Sequence, residues 1–164
     1  MAEGKIRLAE IMRAHEEDLA AQWIKELKSA GSGRENRISE TELSGQVKDF
    51  INLLVAVTET GNVSHTHRAE WAAISEFLEA ISFSRVEQGF SSDETASFIF
   101  SFKMPLFARL RTELGRDPDA FADAVSLATQ LLDKLGMITV RAYQRGREDI
   151  INRQQEEMLE LSTP

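Results

Sequence analysis

Three histidines and no cysteines bound the chemistry open to this chain. His15 lies in an apolar run, four residues after Ile11 and four before Leu19. On a helix that spacing puts all three side chains on one face. A packed histidine with one satisfied hydrogen bond is the plainest role for it; a polar spot in a dimer interface, a pH-sensitive contact and a haem ligand are the others. His65 and His67 stand two apart in a polar stretch, with Glu70 close by. Two loop histidines without thiolates or a helical pair read first as a solvated loop and only second as metal ligands. Haem needs an axial ligand, usually a histidine on a helix well past the middle of the chain. No histidine follows His67, so haem is not expected; no other cofactor and no metal is assigned. Phe98, Phe100, Phe102, Phe107 and Met104 could line a small-molecule pocket, but filling a core explains them more simply. No phosphate-cradling glycine motif and no His-Glu-x-x-His occurs, and the carboxylates fall on solvated helix faces, so no catalytic residue is assigned and no enzyme is expected. Thr163-Pro164 offers a phospho-acceptor context and, more simply, a helix stop.

The elements that would position these residues are helices. The chain has 164 residues, enough for one domain that buries about 70% of its unfolded surface without disulfide or metal. Only 3 prolines and 9 glycines argue against disorder and against a turn-rich β fold. A formal net charge of −8 disfavours nucleic acid and anionic membrane as partners. No run approaches the roughly 20 apolar residues of a membrane span, and the polar start, Met1-Ala2-Glu3-Gly4-Lys5, is not a secretory signal. The absence of cysteine agrees with a reducing cytoplasm.

Leu8, Ile11, Met12, His15, Leu19, Trp23 and Leu27 recur at steps of three and four and predict one amphipathic helix over residues 5–30. Leu8, Ile11, His15 and Leu19 on its stripe are the candidate dimer interface. Ser39-Glu40-Thr41-Glu42 is a capping box that opens a second helix carrying Leu43, Val47, Phe50, Ile51, Leu54 and Val57, with its end near Thr60-Gly61. Trp71, Ile74, Leu78 and Ile81 mark a third helix, which ends before Gly89. Ser91-Ser92-Asp93-Glu94 is another capping box. The run after it, from Phe98 to Leu114, is apolar on more than one side and is expected to lie centrally, kinked or split by Pro105.

The last stretch begins with Asp117 as N-cap and Pro118 at the first helical position, and meets no further proline before Pro164. If continuous, its roughly 45 residues would span on the order of 65 Å, longer than the domain itself. Its first part is rich in Leu131, Leu132, Leu135 and their like; its last part is polar. We therefore expect a helical sensory domain over 1–146 and a linker helix over 147–164, leading out of a piece of a longer protein. Ile151, Gln154, Met158 and Leu161 are the candidate signal-relay positions on that helix. They make a heptad-like seam shorter than two heptads, with glutamine at an intermediate position, so marginal pairing is expected there.

Ile38-Ser39-Glu40-Thr41-Glu42-Leu43, the segment from Phe77-Leu78 through Ser84-Arg85 to Gln88-Gly89-Phe90-Ser91-Ser92-Asp93-Glu94-Thr95, and the tail from Asn152 to Pro164 resemble one family: the RsbR-type co-antagonists of bacterial stressosomes, in their N-terminal sensory domain. The resemblance spans nearly the whole chain. It implies an all-α, globin-like, non-haem domain with a long C-terminal exit helix. It further implies a homodimer that passes a signal down linker helices to a STAS scaffold holding a switch kinase, in the cytoplasm. No phospho-site of the family falls on these residues. The rival reading is a globin-type sensor that binds haem or a small molecule.

Overall fold

The computed structural model describes residues 2–29, 38–60 and 69–162. The described residues form seven α-helices and no strand: α1 (Ala2–Ala14), α2 (Glu16–Ser29), α3 (Glu40–Thr60), α4 (Ala69–Glu87), α5 (Ser92–Phe100), α6 (Lys103–Leu114) and α7 (Pro118–Ser162). The all-α fold with a long C-terminal helix is as expected. His65 and His67 lie outside the described residues.

Local chemistry sets the starts of three helices. Ser39 Oγ accepts from Glu42 N–H at 3.1 Å at the head of α3. Ser91 and Glu94 close a reciprocal capping box at the head of α5, with bonds of 3.1 and 2.9 Å. Asp117 Oδ1 accepts from Ala120 N–H at 3.2 Å, and Pro118 opens α7 where its missing N–H costs nothing.

Two expectations need correction. The first concerns the single helix over 5–30, which is interrupted at His15. Glu16, Glu17 and Asp18 follow at once, and three carboxylates in a first turn favour a fresh helix N-terminus there. The second concerns the apolar run Phe98–Leu114, which is not central on every side. Phe98, Phe102, Leu106, Leu110 and Leu114 are buried, but Phe100 and Met104 are exposed. The run divides at Ser101–Phe102 rather than at the proline. Pro105 sits in the first turn of α6 and has no N–H to give the Ser101 carbonyl. The Phe98 carbonyl, meanwhile, is taken by the Trp23 indole N–H at 3.0 Å, while the Phe102 N–H turns back to Ile99 O at 3.1 Å.

Trp23 is the centre of the core. Its ring lies 5.3 Å from Phe50, 4.8 Å from Phe98 and 4.6 Å from Phe102, so one side chain ties α2 to α3, α5 and the α5–α6 junction. The indole also donates to Ser101 Oγ at 3.0 Å, which satisfies its one polar atom. On the other side of the core α7 packs on α1, α4, α5 and α6, with its broadest contact on α4. Its buried face runs through Ala124, Ala128, Leu131, Leu132, Leu135, Thr139, Ala142 and Gly146.

Candidate functional site

Two glycines let α7 sit tight against the body. A Cβ at Gly146 would come within 2.6 Å of Phe83 Cδ1 and 3.3 Å of Val86 Cγ2, both on α4. A Cβ at Gly136 would come within 2.5 Å of Phe100 Cζ, at the end of α5. At both places an aromatic ring occupies the space a side chain would need, and both rings remain partly open to solvent.

Between these contacts lies a buried polar cluster. Arg85 on α4 is 3% exposed and donates to Gln46 Oε1 of α3 at 2.7 Å and to Gln88 Oε1 at 3.3 Å. Its guanidinium stands 5.4 Å from the Phe90 ring centre and 5.6 Å from that of Phe98. Burial pulls its pKa down to about 10, opposed by the charge of Glu42, so it stays cationic at neutral pH. Neutral amide oxygens and aromatic faces, rather than a carboxylate in contact, hold this cation. Tyr143 of α7 donates its hydroxyl to Phe90 O at 2.6 Å. Arg85, Phe90 and Tyr143 thus join α3, α4, the α4–α5 turn and α7 in one chain of contacts. Sequence reading gave Arg85, Gln46 and Tyr143 no role. The signal for Arg85 was its position four residues after Ile81, on the same stripe as Trp71, Ile74 and Leu78.

The candidate interface residues divide. Leu8 and Leu19 are each 1% exposed and belong to the chain's own core, because α1 and α2 turn that stripe onto α3. Ile11 is half-buried against the core. His15 is half-buried at the α1–α2 break, where Nε2 lies 2.9 Å from Glu113 Oε1 of α6. Arg109 joins the same corner, pairing with Asp18 of α2 and standing 3.5 Å from Glu113. His15 therefore ties α6 to the start of α2. The five residues proposed for a ligand pocket do not converge either: Phe98 and Phe102 are spent on the Trp23 cluster, Phe107 is half-buried against the core, and Phe100 and Met104 face outward. An open groove of about 350 Å³ between α2 and α6, lined by Leu19, Gln22, Pro105 and Arg109 among others, has no connection to them beyond Met104. Among the described residues no three histidine, aspartate or glutamate side chains gather as a metal group.

The candidate relay residues all lie on α7 beyond the body. Gly146 is the last buried residue, Ile150 is half-buried, and every residue from Ile151 to Ser162 is exposed. Ile151, Met158 and Leu161 are 42%, 72% and 87% exposed. A helix that is core at one end and free at the other can carry a rotation or shift made inside the body out of it.

Comparison with known families decides what body this is. Residues 17–158 match the model of the RsbT co-antagonist protein RsbRD N-terminal domain. The chain belongs to that family. This RsbRD N-terminal domain is thus a stressosome-associated regulatory domain, as the resemblance implied. The match runs from the start of α2 through the exposed part of α7, so the outgoing helix is part of the family's unit. No curated protein and no solved structure matches the chain. Among the described residues no helix is long and apolar enough to cross a membrane.

Proposed function

We propose that this RsbRD N-terminal domain is a non-enzymatic sensory module that acts as a cytoplasmic homodimer and passes its signal through α7 to a following STAS scaffold, which holds a switch kinase. The observation that carries the reading is α7 itself: one unbroken helix of 45 residues whose first part is core and whose last part is free. The family's own description as an N-terminal, RsbT co-antagonist domain supports a further domain and a kinase-directed output. The mechanism is a small change in packing at the α4–α7 contact that turns or shifts the outgoing helix. Arg85, Phe90 and Tyr143 are the internal connection through which a change at α3–α5 reaches α7. No cofactor enters this reading.

The test is the phase of the outgoing helix in the longer protein with its STAS domain. Each inserted residue turns a helix by about 100°, so one residue added after Asn152 should break signalling to the kinase. Seven added residues restore the facing and should keep it. Equal signalling by both insertions, in a protein that still binds the kinase, overturns the relay.

A further inference from the structure

The body grips α7 at its rim by two contacts of the same construction. At Gly146 the Phe83 ring of α4 fills the place of the missing side chain, 2.6 Å from where a Cβ would stand. Arg145, one residue before that glycine, reaches Glu79, one turn before Phe83, at 3.2 Å. At Gly136 the Phe100 ring, at the end of α5, fills the same place at 2.5 Å. Asp133, three residues before that glycine, accepts from Lys103, three residues after Phe100, at 2.9 Å. The same ammonium stands 5.3 Å from the centre of the Phe100 ring. Each grip is thus a ring on a glycine with an ion pair alongside. Both ion pairs are open to water and contribute little by themselves, so the ring on its glycine is the holding part. Phe83 and Phe100 are 37% and 40% exposed, so neither ring is closed in on its outer side.

The two grips differ in what surrounds them. Leu131, Leu132, Leu135 and Thr139 bury α7 on both sides of Gly136. Gly146 has Ala142 and Tyr143 before it and no buried residue after it. The glycines stand roughly 15 Å apart along the helix and about 80° apart round it, so the rings hold α7 from two sides. Between them Tyr143 donates to Phe90 O, one turn from Gly146.

We propose that Phe83 on Gly146 is a latch and Phe100 on Gly136 the pivot: when the Phe83 ring leaves its glycine, α7 swings about Gly136 and its free end moves. The inference deepens the reading above and rests on the relay through α7 proposed there. A change at α3–α5 that reaches Tyr143 through Arg85 and Phe90 loads α7 close to the latch and away from the pivot. Ser162 lies roughly 39 Å from Gly136 along the helix and Gly146 roughly 15 Å, so about 1 Å at the latch becomes about 2.5 Å at the free end.

Hydrogen exchange on ring and glycine variants tests the latch. Phe83→Ala should quicken exchange over residues 143–150 by about tenfold, equivalent to 1.4 kcal/mol of easier opening, and leave residues 128–135 within about twofold. Gly146→Ala carries the decisive sign. Alanine is the better helix former and by itself slows exchange. Here its Cβ displaces the Phe83 ring, so exchange over 143–150 should quicken instead. In the Phe83→Ala background the ring is gone, and the same Gly146→Ala should slow it. Gly146→Ala slowing exchange with Phe83 present overturns the latch. Phe100→Ala opening residues 143–150 as far as Phe83→Ala does overturns it too. In the longer protein with its STAS domain, Phe83→Ala and Gly146→Ala should change signalling to the kinase in the same direction. Unchanged signalling, in a protein that the one-residue insertion after Asn152 does break, overturns the latch and leaves the relay standing. Where that insertion changes nothing either, the relay falls and the latch with it.

Discussion

Leu131, Leu132 and Leu135 in the first part of α7 are buried completely, whereas Ile151, Met158 and Leu161 in the last part of the same helix are exposed. Residue type does not separate the two groups; position relative to the body does. In the first part α4, α5 and α6 supply the apolar surface that covers one face of α7. Beyond Ile150 no other described helix reaches it, and all twelve residues to Ser162 stand in water. One helix thus serves as a wall of the core and as an outgoing rod. Changes in the first part should be felt as lost stability of the protomer, and changes in the second only as altered association or signalling.

The sharpest contrast comes from the core that α7 helps to close. Trp23→Ala removes the ring shared by Phe50, Phe98 and Phe102 and should cost about 3–5 kcal/mol in denaturant unfolding. Next is the α4–α7 contact. Gly146→Leu drives a side chain into the Phe83 ring and should cost about 1–3 kcal/mol, whereas Gln155→Leu on the free part should change protomer stability by no more than about 0.5 kcal/mol. Equal effects of these two would erase the distinction between the halves.

Arg85→Ala empties a buried space and leaves Gln46 without its donor, and should cost about 1–3 kcal/mol; Arg85→Met refills the space but cannot donate to Gln46, so it should recover only the packing part of that loss. If the cluster links α3 to α7, both variants should also quicken hydrogen exchange around Tyr143. Met158→Glu should leave the unfolding free energy within about 0.5 kcal/mol of the parent, because its side chain is exposed on the free part of α7. For the relay itself, backbone exchange over residues 150–161 should be fast in this chain and slow with the next domain attached.

The smallest expected effect is at Glu40, where the hydrogen bond and charge of Lys28 hold the carboxyl below its ordinary range. A lowered folded pKa means that its contribution is present above the ordinary carboxylate range and is lost as pH falls through the lowered value. The group is fully exposed, so an NMR titration is the measurement, and Lys28→Ala should return Glu40 to the ordinary range.

The reach of the sequence is clearest where a signal acts over one turn. Ser39, Ser91 and Asp117 cap helices through bonds to residues three positions on, so the starts of α3, α5 and α7 are written locally. The stripes of Trp71, Ile74, Leu78 and of Leu131, Leu132, Leu135 likewise point inward by period alone. Residues of mixed character were settled by neighbours far along the chain. Leu8 and Leu19 have the spacing of an interface, but α3 covers them; Phe100 and Met104 have the composition of a core, but nothing covers them fully. Arg85 lies on the inward stripe of α4 by period, but the partner that takes its charge, Gln46, stands 39 residues away. Which helices form, and where they begin, follows from contacts within a turn. Which face is core, and where α7 leaves the body, depends on long-range burial that only the assembled helices define.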